Sequence, residues 1–309
     1  MMERTDRHHR AMMRMISRHT LLYTEMVTTW GLLRGGVERH LDYSEMEHPI
    51  ALQLGGNDPE QLAECARLAE QWGYDEVNLN VGCPSPRVSR GAFGASLMTQ
   101  PELVAECVSA MREACSMPVT VKHRTGVDNN DSWEELVAFI EIVERSGADR
   151  FSVHARKAWL NGLSPKENRN IPPLQYDWVH RLKSTFPHQH IEINGHIKSL
   201  DESLVQLEVV DAVMIGRAAW DNPYLFAHAD QRVFGDDRPV TSREEVVRGM
   251  AEYAEERLST CQRTTIGHIA KPMLNLFNGV PGAREWRRRL STEAFRKGAG
   301  PQLLIDAMP

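Results

Sequence analysis

The sequence predicts an α/β protein folded as a parallel (β/α)8 barrel of the TIM class, and three observations carry that reading. Seven short apolar segments alternate with amphipathic helical stretches through the first 217 residues, the pattern of βαβ units and a parallel sheet. Polar residues close the C-terminal ends of many different strands (Gln53, Asn80, Lys122, His154, Asn194 and Arg217) instead of gathering at one crossover. The last two units end in Asn194-Gly195 and Gly216-Arg217, paired glycine turns of the kind that hold a phosphate in barrels. No G-x-G-x-x-G follows the first strand and no Walker A sequence occurs, so the nucleotide signatures of open sheets are absent.

Taken in order, the predicted strands are Leu21–Val27, Ile50–Leu54, Glu76–Val81, Val119–His123, Arg150–His154, Ile191–Asn194 and Ala212–Ile215. Helical patterns lie between them, at Pro59–Trp72, Pro101–Cys115, Ser132–Ser146 and Asp201–Leu207. A barrel needs eight strands and these are seven. The helix that should follow strand one is present, opening at Thr5-Asp6 and running to about Arg18. Met1-Met2 are therefore read as the last residues of a truncated first strand. A barrel domain is assigned to residues 1–237 and a small helical domain to 238–309. In the latter, Thr241/Ser242 followed by Glu244-Glu245 is a helix start with acidic first-turn residues. Helices are expected to about Leu258, then over Ile266–Phe277, Ala283–Leu290 and Gln302–Met308, with an outer stripe that includes Arg284, Arg287, Arg288 and Arg289.

Composition narrows the function classes. The formal net charge is −6, with 41% hydrophobic and 25% charged residues. That excludes a uniformly basic nucleic-acid binder, yet residues 238–309 hold 12 Lys/Arg against 8 Asp/Glu. A basic excess confined to one end of an acidic chain suits either a solvated helix face or a polyanion surface. No apolar run is long enough to span a membrane, and the polar N-terminus is no secretory signal, so a cytoplasmic, membrane-free protein is expected. The five cysteines form no C-x-x-C pair and no metal-ligand spacing, so neither structural metal nor disulfide is expected. Nothing points to an obligate interface, and a monomer is expected.

The strand-end residues, taken as a pocket lining, suggest redox chemistry. Cys83 follows an alternating apolar strand and precedes Pro84, which fixes the turn and holds the thiol in place. Lys122 would place a cation in the barrel mouth, which is costly without an anionic partner. A flavin is such a partner, because a lysine near its N1 and O2 stabilises the anionic reduced ring. Gln53 suits the pyrimidine edge of that ring, and His154 the ring or the phosphate. Asn194-Gly195 and Gly216-Arg217 offer N–H groups and a guanidinium to a phosphate. A thiol with an ordinary pKa of about 8.5 is protonated at neutral pH and suits proton delivery to a carbon–carbon double bond. The rival role, nucleophile, wants a nearby His or helix N-terminus, and no local Cys–His motif supplies one.

Four strings carry a resemblance to a known family: Asn78-Leu79-Asn80-Val81-Gly82-Cys83-Pro84-Ser85, His154-Ala155-Arg156-Lys157-Ala158-Trp159-Leu160, Gly162-Leu163-Ser164-Pro165-Lys166-Glu167-Asn168-Arg169 and Leu22-Tyr23-Thr24-Glu25-Met26-Val27-Thr28-Thr29. Together they resemble the tRNA-dihydrouridine synthases, most closely the A-type branch, over nearly the whole chain. The resemblance implies an FMN-bound (β/α)8 barrel with a C-terminal helical domain. NADPH would serve as reductant, and uridine of the tRNA D-loop, at positions 20 and 20a, as the substrate. It implies that Cys83 gives the proton to C5 while hydride from FMN reaches C6. It also implies FMN contacts at Met1, Met2, Gln53, Lys122, His154, Asn194, Gly195, His196, Gly216 and Arg217. Positions matching tRNA contacts are Asn80, Lys166, Arg169, Arg284 and Arg287. Three departures stand out: the first strand is cut to Met1-Met2, Arg4 stands where an aromatic is expected, and His196 replaces the second glycine of the phosphate turn. Two other readings stay open, a flavin oxidoreductase acting on a small pyrimidine-like molecule and a tRNA-binding protein without FMN.

Overall fold

Period-two alternation along the strands decides how this chain packs. The computed structural model describes residues 1–309. Eight strand segments form one parallel sheet: β1 (Leu22–Tyr23), β2 (Val27–Thr28), β3 (Ile50–Gly55), β4 (Glu76–Val81), β5 (Val119–Arg124), β6 (Arg150–His154), β7 (His190–Asn194) and β8 (Ala212–Met214). They run in the order β1-β3-β4-β5-β6-β7-β8, with β2 also on β3, which is the curled sheet of a TIM-like barrel. Val77, Leu79 and Val81, Val119 and Val121, Phe151 and Val153, and Ile191 and Ile193 face outward into a 37-residue apolar core. The opposite face turns Asn78, Asn80, Thr120, Lys122, Ser152, His154, Glu192 and Asn194 into the barrel.

The predicted strand Leu21–Val27 is instead two short pieces, and register gives the reason. Leu22 pairs with Ile50 and Val27 with Leu54, so one residue more lies on the first side than on the second. That is a bulge. It turns Thr24 so that its Oγ1 accepts the Gln53 N–H at 3.0 Å. The other predicted strands match to within a residue or two. At the seam, β1 pairs with β3 and β8 with β7, and the sheet stays open between Leu22–Tyr23 and Ala212–Met214. Met1–Thr5 forms a turn, with the N–H groups of Arg4 and Thr5 both donating to the Met1 carbonyl at 3.0 and 3.1 Å.

Helices cover the outer face, and their ends follow the capping chemistry. Asp58 caps the helix Pro59–Gln71, and Ser132 with Glu135 and Ser242 with Glu245 form reciprocal capping boxes. The helix expected over Ile266–Phe277 is regular only to Met273, one residue past Pro272. A second core of 28 residues joins the helix Arg7–Ile16 to Arg243–Thr260, Ile266–Met273 and Ala283–Glu293. Its centre is Trp286, fully buried, whose Nε1 donates to the Met273 carbonyl at 2.9 Å. Truncating a side chain of that size in such a site costs about 3–5 kcal/mol. The C-terminal helices are thereby fixed to the barrel through its first helix. No helix is long and apolar enough to cross a membrane.

Candidate active site

The thiol loop is pinned before any ligand arrives. Asn80, the last inward residue of β4, uses its side-chain oxygen to accept the N–H groups of Gly82 at 3.1 Å and Cys83 at 2.9 Å. Its Nδ2 donates to Gln53 Oε1 at 2.9 Å, and Gln53 Nε2 donates to Asn78 Oδ1 at 2.9 Å. The Cys83 carbonyl accepts from Ala95 at 2.9 Å. Gly94 must be glycine here: its φ is +70°, and an added Cβ would lie 2.6 Å from that carbonyl. Cys83 itself is half-buried at the strand end, as expected of a barrel residue placed for chemistry.

Across the mouth, one amide collects a cation and an imidazole. Asn194 Oδ1 accepts from Lys122 Nζ at 3.2 Å and lies 2.8 Å from His154 Nδ1, while Asn194 Nδ2 donates to the Met214 carbonyl at 2.7 Å. That last bond fixes the amide orientation, so His154 Nδ1 is the protonated nitrogen and Nε2 the acceptor. Burial, with Arg124 and Lys122 nearby, holds His154 well below the ordinary histidine value, so the ring is neutral. Its Nε2 is buried without a hydrogen-bond partner. Burial also lowers Lys122 to about 8; Arg124 adds to that, and Glu192 and Cys83 oppose it. Lys122 thus sits in the mouth with an amide oxygen and no carboxylate at contact distance.

Gly195 and His196 form the turn after β7, at φ +126° and +60°. Histidine is among the residues that tolerate the left-handed region, which reconciles His196 with a position expected to be glycine. Its exposed side chain lines a groove with Leu174, Tyr176 and Glu202. The His154 Nε2 faces the turn, 3.7 Å from where a Cβ on Gly195 would be. Gly216 opens the short helix Arg217–Asp221, and the Met1 sulfur lies 3.6 Å from where its Cβ would be. Met1 therefore borders the mouth, whereas Met2 is exposed. Arg217 donates to Asn170 Oδ1 at 2.7 Å and to the Arg169 carbonyl at 3.0 Å, tying the last turn to the segment that carries Lys166 and Arg169.

The rim is basic. Lys166 is exposed and Arg169 half-buried, and a groove runs between the helix Pro86–Arg90 and residues 160–164. On the helix Ala283–Glu293, Arg288 pairs with Glu285 and Arg289 with Glu293. Arg284 and Arg287 are exposed and have no ion-pair or hydrogen-bond partner.

Sequence reasoning missed Arg124. It is buried at the end of β5, and its Nε donates to the Gly82 carbonyl at 2.8 Å while Nη1 reaches the Lys157 and Asn168 carbonyls. The signal was the run Lys122-His123-Arg124 closing an apolar strand; Arg124 points inward with Lys122, while His123 packs among Phe139 and Phe151. No group of three His, Cys, Asp or Glu is placed to hold a metal ion.

A parallel barrel with a pinned thiol, a buried cation and a neutral imidazole at its strand ends has the architecture of an α/β-barrel enzyme. The chain belongs to the dihydrouridine synthase family, whose model matches residues 1–308. It is 56% identical over 308 residues to a tRNA-dihydrouridine(20/20a) synthase of Synechocystis, covering 100% of this chain and 92% of that protein. It is 53% identical to the protein of that name from Vibrio parahaemolyticus, covering 100% of this chain and 94% of the relative. For the Escherichia coli K12 protein of that name the identity is 54%, over 100% and 89%. Among solved structures, a 2-naphthoyl-CoA reductase shares the fold at a TM-score of 0.55 and 14% identity, covering 74% of this chain and 47% of that one.

Proposed function

We propose that this protein reduces uridine in the D-loop of tRNA, at positions 20 and 20a, to 5,6-dihydrouridine, with FMN in the barrel mouth and NADPH as reductant. The observation that carries the reading is Cys83, fixed by Asn80 at the strand end, at the same barrel mouth as the Lys122–Asn194–His154 cluster. The residues present fit a flavin. Lys122 supplies a buried cation for the N1–O2 edge, and Gln53 stands at the same end of the sheet. His154 Nε2, a buried acceptor without a partner, suits a donor on the ligand, such as a ribityl hydroxyl or a ring N–H. The backbone of Gly195, Gly216 and Arg217, with His196 and Met1 beside it, suits the phosphate end.

Bound FMN supplies hydride for C6 of the uracil. Cys83 holds the proton for C5, and its thiol carries it from the face of the base that the thiol loop covers. Asn80 keeps that loop in register, and Lys122 balances negative charge on the ring. A uridine inside a folded tRNA reaches such a pocket only by leaving its stack. Lys166 and Arg169 at the rim, with Arg284 and Arg287 on residues 238–309, are the cations assigned to its phosphates. The unpartnered state of Arg284 and Arg287 favours a polyanion surface over a self-neutralised helix face.

The test is the absorption spectrum of the purified protein. A flavin band that bleaches with NADPH and returns on adding unmodified tRNA, with dihydrouridine formed at positions 20 and 20a, is the expected result. A colourless protein that binds tRNA in a salt-sensitive way supports the binding-only alternative instead.

A further inference from the structure

Level with Lys122, the barrel interior holds an ionisable group that the proposed chemistry leaves unused. Lys122, Ser152 and Glu192 occupy one row of the sheet, Lys122 paired with Ser152 across β5 and β6, and Ser152 with Glu192 across β6 and β7. Adjacent strands lie about 4.8 Å apart, so three inward side chains in one row share the same patch of interior. Ser152 is 1% exposed and Glu192 7%. The Ser152 hydroxyl and Glu192 Oε2 are both buried without a hydrogen-bond partner. The neighbouring carboxylate is the opposite case: Glu76 accepts from Tyr23 at 2.7 Å and from Thr120 at 2.6 Å, and pairs with Arg150.

A buried carboxyl that lacks a full set of donors resists ionisation. The charged and titratable groups facing Glu192 are Arg150 from β6, Glu76 from β4, Lys122 from β5 and Tyr23 from β1. Burial raises Glu192 to about 7; Arg150 opposes that, Glu76 adds to it and Lys122 opposes it. Lys122 in turn faces Arg124, Glu192, Cys83, the Met1 amine and His154.

We propose that Glu192 is a positioning residue for the charge on Lys122, a proton-holding station in the same row of the barrel interior. Ionised, Glu192 balances the Lys122 ammonium. When negative charge arrives on a ligand beside Lys122, the Glu192 carboxylate takes up one proton from solvent, and the buried layer keeps its net charge. No electron passes through Glu192. The inference rests on the reading that a flavin, which gains negative charge on reduction, occupies the mouth.

Two measurements on wild type and Glu192→Gln test it. In the flavin-loaded protein, the midpoint potential for two-electron reduction is followed across neutral pH. The wild-type potential should fall more steeply with pH near 7 than that of the variant, because one further proton accompanies reduction. Parallel lines overturn the proposal. In the flavin-free protein, the melting temperature is followed against pH. A carboxyl raised in the folded state keeps a proton that the unfolded chain has released, so wild-type stability should fall as pH rises from the ordinary glutamate range to about 7. Glu192→Gln should remove that fall, and an unchanged profile overturns the proposal. If Glu192→Gln does not fold, Glu192→Leu, which likewise cannot titrate, takes its place. It too should lose the steep segment in both readouts, and an unmoved segment overturns the station. A protein that binds no flavin fails the cofactor reading at the loading step, and the flavin-free melting profile then decides whether Glu192 holds the proton.

Discussion

The side-chain oxygen of Asn80 accepts the backbone N–H of Cys83 at 2.9 Å, and through that one bond the end of β4 sets the position of the thiol. Asn80 matches a tRNA-contacting position in the family resemblance, yet its amide is already spent on Gly82, Cys83 and Gln53. Its action on substrate is therefore expected to pass through the loop. Asn80→Ala strands two N–H groups, at about 1–3 kcal/mol for each. At about 2–4 °C per kcal/mol for a chain of this size, melting should drop measurably. Turnover should fall with little change in KM for tRNA, and Asn80→Asp, which keeps the acceptor, should recover part of both. A rise in KM with normal turnover would place Asn80 directly on the RNA instead.

Cys83→Ala tests the proposed proton delivery apart from flavin binding and flavin reduction. The side chain makes no hydrogen bond that supports the fold, since the loop is held through its backbone. The variant should bind flavin with an unaltered spectrum and accept reduction by NADPH at the wild-type rate. Dihydrouridine formation should drop by about 10²–10⁴, the usual worth of a positioned acid. A product rate within a few-fold of wild type would remove Cys83 from that role.

Lys122 predicts a pH dependence with a definite sign. Its ammonium is lowered to about 8, chiefly by burial. Below that pH the lysine is charged and should attract an anionic ligand; above it the charge is lost. FMN affinity, read by fluorescence quenching, should weaken as pH rises through about 8, and Lys122→Met should weaken binding overall and flatten the profile. The stability of the flavin-free protein should move the other way. The unfolded lysine keeps its proton to about 10.5 while the folded one has released it, so stability rises with pH across that window. A wild-type affinity that stays flat through pH 8 would assign the attraction to the arginines instead.

The sheet was largely legible because its outward face is written in aliphatic residues at period two, as in Val77-Asn78-Leu79-Asn80-Val81. The polar half of that alternation also marked the mouth, since Asn80, Lys122, His154 and Asn194 all lie within the last three residues of their strands. What stayed hidden depended on three dimensions. The bulge between Leu22 and Val27 is a property of pairing with β3, and one strand's pattern cannot reveal an extra residue relative to its partner. Arg124 sat in plain view but gained meaning only when its guanidinium was found on the Gly82 carbonyl. Glu192, flanked by Ile191 and Ile193, was legible as an inward position, but its lack of partners was not.

Arg284 and Arg287 distinguish an RNA substrate from a small pyrimidine. They lie on one exposed face of the helix Ala283–Glu293, while Arg288 and Arg289 are engaged by Glu285 and Glu293. Each free cation that meets a phosphate contributes about one unit to the slope of log affinity against log salt. The double variant Arg284→Glu/Arg287→Glu should weaken tRNA binding and lower that slope by about 2. Arg288→Glu, which removes a charge already neutralised, should change the slope far less. Reduction of the bound flavin by NADPH should be untouched in both variants, because neither residue approaches the barrel mouth through any hydrogen bond or ion pair. If the double variant forms dihydrouridine in tRNA as fast as wild type at physiological salt, the helix face is a solvated surface and the RNA must be held by Lys166 and Arg169 at the rim. If it loses activity on tRNA but still reduces a free uridine analogue at the wild-type rate, the barrel supplies the chemistry and residues 238–309 supply the substrate.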